Sequence, residues 1–103
     1  MSIEVVLQSE TGDAASEMIH DPDGVIVHSL PDPADASYSC IRFIDPYGDT
    51  IFNRLQAAAM IAEWDTLKDS FLANNAGTLW ADVRASIVRC SQEPHLYLRF
   101  VGD

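Results

Sequence analysis

Sixteen Asp and Glu residues, three histidines and two cysteines are the groups in this 103-residue chain that could do chemistry. His20, Asp21 and Asp23 come closest to a ligand set. Asp21-x-Asp23-Gly24 has the spacing that opens a calcium loop, where oxygens at alternate positions converge on a hard cation. The remainder of that pattern fails. Val25, Ile26 and Val27 follow, and the twelfth position is Asp32 behind Pro31 instead of a bidentate glutamate. Asp21-Pro22-Asp23-Gly24 reads as a turn, because Pro fixes φ and Gly accepts positive φ. His20, His28 and His95 show neither an HExxH motif nor paired spacing, so no metal and no cofactor are expected. A general acid–base pair of His28 with Asp45 or Glu93 would depend on the fold alone.

Cys40 and Cys90 stand 50 positions apart, without a CxxC. A nucleophilic Cys40 would need a base and an electropositive setting, yet it lies in the more acidic half of the chain. Both cysteines read as small buried hydrophobes. There is no GxSxG, no Walker lysine loop and no GxGxxG, so hydrolase, nucleotide and dinucleotide functions lack support. No catalytic residue is assigned.

The acids are unevenly spread. The formal charge is −10, and residues 1–49 hold ten acids against Arg42 alone. Such a balance argues against nucleic acid, whose phosphates need neutralising. No apolar run approaches the ~18–20 residues of a membrane span. Met1-Ser2-Ile3-Glu4 does not begin a secretory signal, and with free cysteines a cytoplasmic location is expected.

These groups must be positioned by one domain over residues 1–103, a length that supports a single core. Period-two patterns predict strands near 3–8, 24–30, 37–44, 50–53 and 95–101. The runs at 37–44 and 50–53 flank Asp45-Pro46-Tyr47-Gly48-Asp49 and read as a hairpin. Residues 14–19 are ambiguous between a helical turn and an edge strand. Asn53 and Gln56 match a capping box. Met60, Trp64, Leu67 and Phe71 then mark one face of a helix over 54–73, ended by Asn74-Asn75-Ala76-Gly77. Thr78 is read as the N-cap of a second helix over 78–91. The expected fold is α+β, ordered β-β-β-β-α-α-β, with a mostly antiparallel sheet of about five strands and two helices on one face. The expected core is Ile41, Phe43, Phe52, Met60, Trp64, Leu67, Phe71, Val83, Ile87, Leu96, Leu98 and Phe100. Trp64 and Trp80 are assigned to that core or to the seam of a homodimer.

Asp45-Pro46-Tyr47-Gly48-Asp49-Thr50-Ile51-Phe52-Asn53-Arg54-Leu55-Gln56 resembles a segment of short uncharacterised bacterial proteins. Tyr97-Leu98-Arg99-Phe100-Val101-Gly102-Asp103 is similar to the strand that ends such proteins. Together these segments cover about 19 residues. Proteins of this kind also resemble products of mobile gene cassettes of the integron type. No activity is attached to them, so the resemblance carries over no catalytic residue.

Two functions follow as expectations. The first is a binding or inhibitory module that meets a basic protein through a solvated acidic face formed by Asp13, Glu17, Asp21, Asp23, Asp32 and Asp35. The second is a small-molecule-binding domain or minor enzyme with a pocket between sheet and helices. Tyr47, Asn53 and Gln56 form a candidate polar patch beside the hairpin tip, although capping alone accounts for the last two.

Overall fold

In the computed structural model, which describes residues 2–103, β1 (Glu4–Ser9), β2 (Asp49–Phe52) and β3 (Leu96–Val101) form one antiparallel sheet ordered β1-β3-β2. The strand latest in the chain is therefore the central one. Val5 stands opposite Phe100, Leu7 opposite Leu98, and Phe52 meets Leu98 from the other side. Strand alternation places Val5, Leu7, Phe52, Leu98 and Phe100 on a single face, and all five are buried. Four helices accompany the sheet: α1 (Val25–Ser29), α2 (Arg54–Asp65), α3 (Lys68–Ala73) and α4 (Gly77–Gln92). The fold is α+β with a small antiparallel sheet, of three strands instead of five.

The α2–α3 stripe carries the core. Met60, Trp64, Leu67 and Phe71 are all buried, with the Trp64 ring 5.2 Å from Phe71 and 6.5 Å from Phe100 between centroids. Trp64 Nε1 donates to the Trp80 carbonyl and Trp80 Nε1 donates to the Trp64 carbonyl, each at 3.1 Å, which clamps α2 to α4. The helix expected over 54–73 is broken after Asp65, where Thr66 donates its hydroxyl to the Glu63 carbonyl at 2.7 Å. The lower end of α3 closes as a Schellman motif. Asn75 takes φ 56°, Ala76 N donates to the Phe71 carbonyl at 2.8 Å, and Asn75 N to that of Leu72 at 3.1 Å. The chain enters α4 directly from that motif, so Ala76 and not Thr78 occupies the cap position.

At the start of α2 the capping box is present. Asn53 Oδ1 accepts from Gln56 N, and Gln56 Oε1 accepts from Asn53 N, both at 2.9 Å. Asn53→Ala is expected to cost about 0.5–2 kcal/mol in urea denaturation; an unchanged midpoint would show that the box contributes nothing.

Two predicted strands are corrected. Residues 24–30 contain α1 instead of a strand. Gly24 sits in the left-handed region at φ 70°, and the Asp21 carboxylate accepts from Val25 N at 3.0 Å and Ile26 N at 2.8 Å. Those first-turn donors are satisfied without a ladder, and an apolar run this short cannot by itself distinguish helix from strand. Residues 37–44 form no strand and no hairpin. The Glu63 carboxylate of α2 accepts from the backbone N–H of Ser39, Cys40 and Ile41, at 2.7, 3.2 and 3.0 Å. The chain then turns through a 3-10 segment, Ile41–Phe43. Phe43 consequently leaves the expected core. It is 57% exposed, beneath the Arg42 guanidinium at 4.4 Å. Leu96 is only partly buried.

Segment 14–19 resolves as an extended cover for the outer edge of β1. Val5 and Ile19 exchange both backbone bonds, at 3.0 and 2.8 Å. Ala15 N donates to the Leu7 carbonyl at 2.8 Å, and Ser16 Oγ accepts from Leu7 N at 3.0 Å. At the opposite side of the sheet, Gly102 N donates to the Gly48 carbonyl at 2.8 Å and Asp103 N to that of Pro46 at 3.0 Å. A Cβ on Gly102 would stand 2.6 Å from the Pro46 carbonyl, so only glycine fits this approach. The two segments that carry the resemblance thus meet as the β2–β3 pair, with the loop that leads into β2 bonded to Gly102 and Asp103.

Candidate functional site

The six acids chosen from the sequence fall on three segments. Asp13 and Glu17 lie along the extended cover of β1, Asp21 and Asp23 in the turn before α1, and Asp32 and Asp35 in the loop after it. Asp21 is corrected. It is 2% exposed and spends its carboxylate on the first turn of α1, so it belongs to no solvated face. The other five reach solvent, with Asp35 half-buried. Asp13 accepts from Thr11 Oγ1 at 3.0 Å, and Asp32 from Ala34 N at 2.8 Å. Asp35 accepts from the hydroxyl and the amide of Ser37, at 2.5 and 3.0 Å. The Ser37 hydroxyl first, then its amide and the charge of Arg42, hold Asp35 below the ordinary carboxylate value. No hydrogen bond joins these five acids to one another among the described residues.

Ion pairs fall elsewhere. Arg99 pairs with Asp49, Arg84 with Asp65 and Arg89 with Glu93, while His20 and His95 lie against Glu4 and Glu10. Among the described residues, Asp13, Glu17, Asp23, Asp32 and Asp35 take part in no ion pair. Of the other cations, Arg42 lies over Phe43 and Lys68 over Trp80, whereas among the described residues Arg54 has neither an acid nor a ring as partner.

Among the described residues, no hydrogen bond joins Tyr47 to Asn53 or Gln56 in the candidate polar patch. Asn53 and Gln56 satisfy each other's backbone, and Tyr47 stands alone at the loop tip, 70% exposed. Beside them, where β2 diverges from β3, is a shallow open cleft of about 170 Å³ lined by Asn53, Arg54, Leu55, His95, Leu96 and Tyr97. His95 holds φ 72° there, and its Nδ1 meets Glu10 Oε2 at 2.9 Å. The cleft is smaller than the ~300–1,000 Å³ of usual ligand sites. The meeting of Arg54 with His95 is invisible in the sequence, because 41 positions of chain separate them and no spacing rule joins them.

Both cysteines are free and buried. Burial pushes the Cys90 thiol upward, away from the thiolate a nucleophile needs. No three His, Cys, Asp or Glu side chains converge as a metal set among the described residues. No helix of the described residues is long and apolar enough to cross a membrane. Comparison of the chain with protein-family models, curated proteins and solved structures finds no match in any of the three.

Proposed function

We propose that this protein is a binding module, inhibitory where its target is an enzyme, that meets a basic protein partner through Asp13, Glu17, Asp23, Asp32 and Asp35. One observation carries the reading: in a chain of charge −10, these solvent-reaching acids form no ion pair among the described residues, although other carboxylates are paired. Unpaired surface charge of one sign raises the local concentration of an oppositely charged partner and speeds encounter. The small size of the cleft gives the small-molecule alternative less support.

The test replaces Asp13, Asp23, Asp32 and Asp35 with Asn and Glu17 with Gln, and follows association with a partner isolated on the immobilised wild-type protein. The on-rate is expected to fall about tenfold or more, with a smaller change in off-rate. The control variant carries Asp69→Asn and Asp82→Asn in the second half of the chain, and is expected to associate at the wild-type rate. Equal on-rates for all three proteins would refute the reading.

A further inference from the structure

The two edges of the sheet are treated differently, and the register shows how. In an antiparallel pair, opposed residues alternate between those that exchange backbone bonds and those whose N–H and C=O point away. Gly102 N bonds the Gly48 carbonyl, and the β2–β3 register runs Asp49↔Val101, Thr50↔Phe100, Ile51↔Arg99, Phe52↔Leu98. Thr50 and Phe52 therefore spend their backbone groups on β3, while those of Asp49 and Ile51 face outward. The same alternation turns Val5 and Leu7 of β1 outward, and there segment 14–19 and Ser16 cover them. Nothing among the described residues covers Asp49 and Ile51.

The surroundings of that open edge are also distinctive. In the segment from Asp45 to Gln56, most side chains have a structural duty. Asp45 accepts from Tyr47 N at 2.8 Å, Thr50 Oγ1 accepts from Asp45 N at 2.9 Å, Phe52 is buried, and Asn53 and Gln56 form the cap. Tyr47, Ile51 and Leu55 have no such duty and stand 70%, 50% and 67% exposed. Ile51 shares its sheet face with Asp49, and Asp45 lies beyond Asp49 in the same direction along the chain.

We infer that β2 is a docking edge for an extended basic segment of the partner, which adds antiparallel as a fourth strand beside Asp49 and Ile51. The occupant is chosen by charge. A second copy would bring two chains of −10 together edge to edge, with Asp45 on both sides, and like charge opposes that approach. A basic segment meets Asp45, which forms no ion pair among the described residues, and shares Asp49 with Arg99. Antiparallel addition puts one partner residue opposite Ile51 and the residue two further on opposite Asp49, with the next alternate residue toward Asp45. The recognised pattern is apolar-x-basic-x-basic, with backbone bonds supplying affinity and alternate side chains supplying selectivity. This inference rests on the reading of the protein as a module for a basic partner.

The probe is a capped peptide, Thr-Val-Thr-Lys-Thr-Lys-Thr, titrated into the 15N-labelled full chain. Two control peptides carry Glu for both Lys, or N-methyl groups on Val and the first Lys. Saturable shifts at Asp49 and Ile51 with slowed exchange of both amides are expected, at a Kd below about 1 mM. N-methylation and Ile51→Pro should each weaken binding about tenfold or more. The proline removes only an outward N–H, so the β2–β3 cross-peaks should persist. Shifts confined to residues 13–35 would overturn the docking edge while leaving the proposed function standing. Equal binding of the Glu peptide would overturn the basic occupant and count against the function reading too. A dimer in sedimentation that Ile51→Pro dissociates would assign the edge to a second copy, and absence of binding by the Lys peptide would refute the inference.

Discussion

Trp64→Ala is expected to remove about 3–5 kcal/mol of stability, a large fraction of the ~5–15 kcal/mol typical of a domain this size. The indole is fully buried at the meeting point of three elements, against Phe71 of α3 and Phe100 of β3, and its N–H bonds the Trp80 carbonyl. Truncation leaves a cavity that rings held at both sides cannot collapse into. It also removes one of the two bonds that clamp α2 to α4. Trp64→Phe separates the terms. It keeps most of the apolar contact and deletes the N–H, so a loss of about 1–2 kcal/mol is expected. Urea unfolding of both variants measures the difference. Equal small losses would show that Trp64 does not centre the core.

Glu63→Ala is expected to cost about 2–3 kcal/mol, although the side chain is only half-buried. Its two oxygens accept from the N–H of Ser39, Cys40 and Ile41 and from the Ser39 hydroxyl. Without them three backbone donors lose their acceptor and the 37–44 chain loses its anchor to α2. Burial alone would push the Glu63 carboxyl upward. The Ile41 amide, the Ser39 hydroxyl and the amides of Ser39 and Cys40 outweigh it and hold the group below its ordinary value. The sign of the pH effect follows. A carboxyl with a lower pKa folded than unfolded stabilises fully above its unfolded value of about 4.3 and progressively less as pH falls through the lower folded one. The stability gap between wild type and Glu63→Ala should therefore be widest near neutrality and narrow below about pH 4. A gap that widens on acidification would contradict the role given to Glu63.

The difference between Trp64 and Glu63 explains what the sequence made legible. The Met60-Trp64-Leu67-Phe71 stripe and the Asn53 cap are local patterns, and both are present as read. The break at Thr66 was not visible, because a buried stripe continues across it unchanged. The strand expected over 37–44 was lost to a carboxylate 22 to 24 residues away, a contact that no periodicity announces. Val25, Ile26 and Ser29 are buried in α1, where β-branched residues had suggested a strand, because Asp21 takes the first-turn donors. That same contact withdrew Asp21 from the acidic set. Charge excess was legible from composition. The distinction between paired acids such as Asp49 and unpaired ones such as Asp32 was not, since Arg99 reaches Asp49 only through the β2–β3 register. The open edge of β2 was hidden for a related reason. It exists only because the last strand enters the middle of the sheet.

The measurement that tests the central claim most directly is the association rate of a captured partner with the wild-type protein against ionic strength. Raising salt from about 0.01 to 0.3 M shortens the screening length from about 30 Å to under 10 Å. If unpaired acids steer the encounter, the on-rate should fall at least about tenfold over that range, with a weaker trend in the off-rate. An on-rate that stays flat across the series would contradict the account and leave the −10 charge without a role in binding.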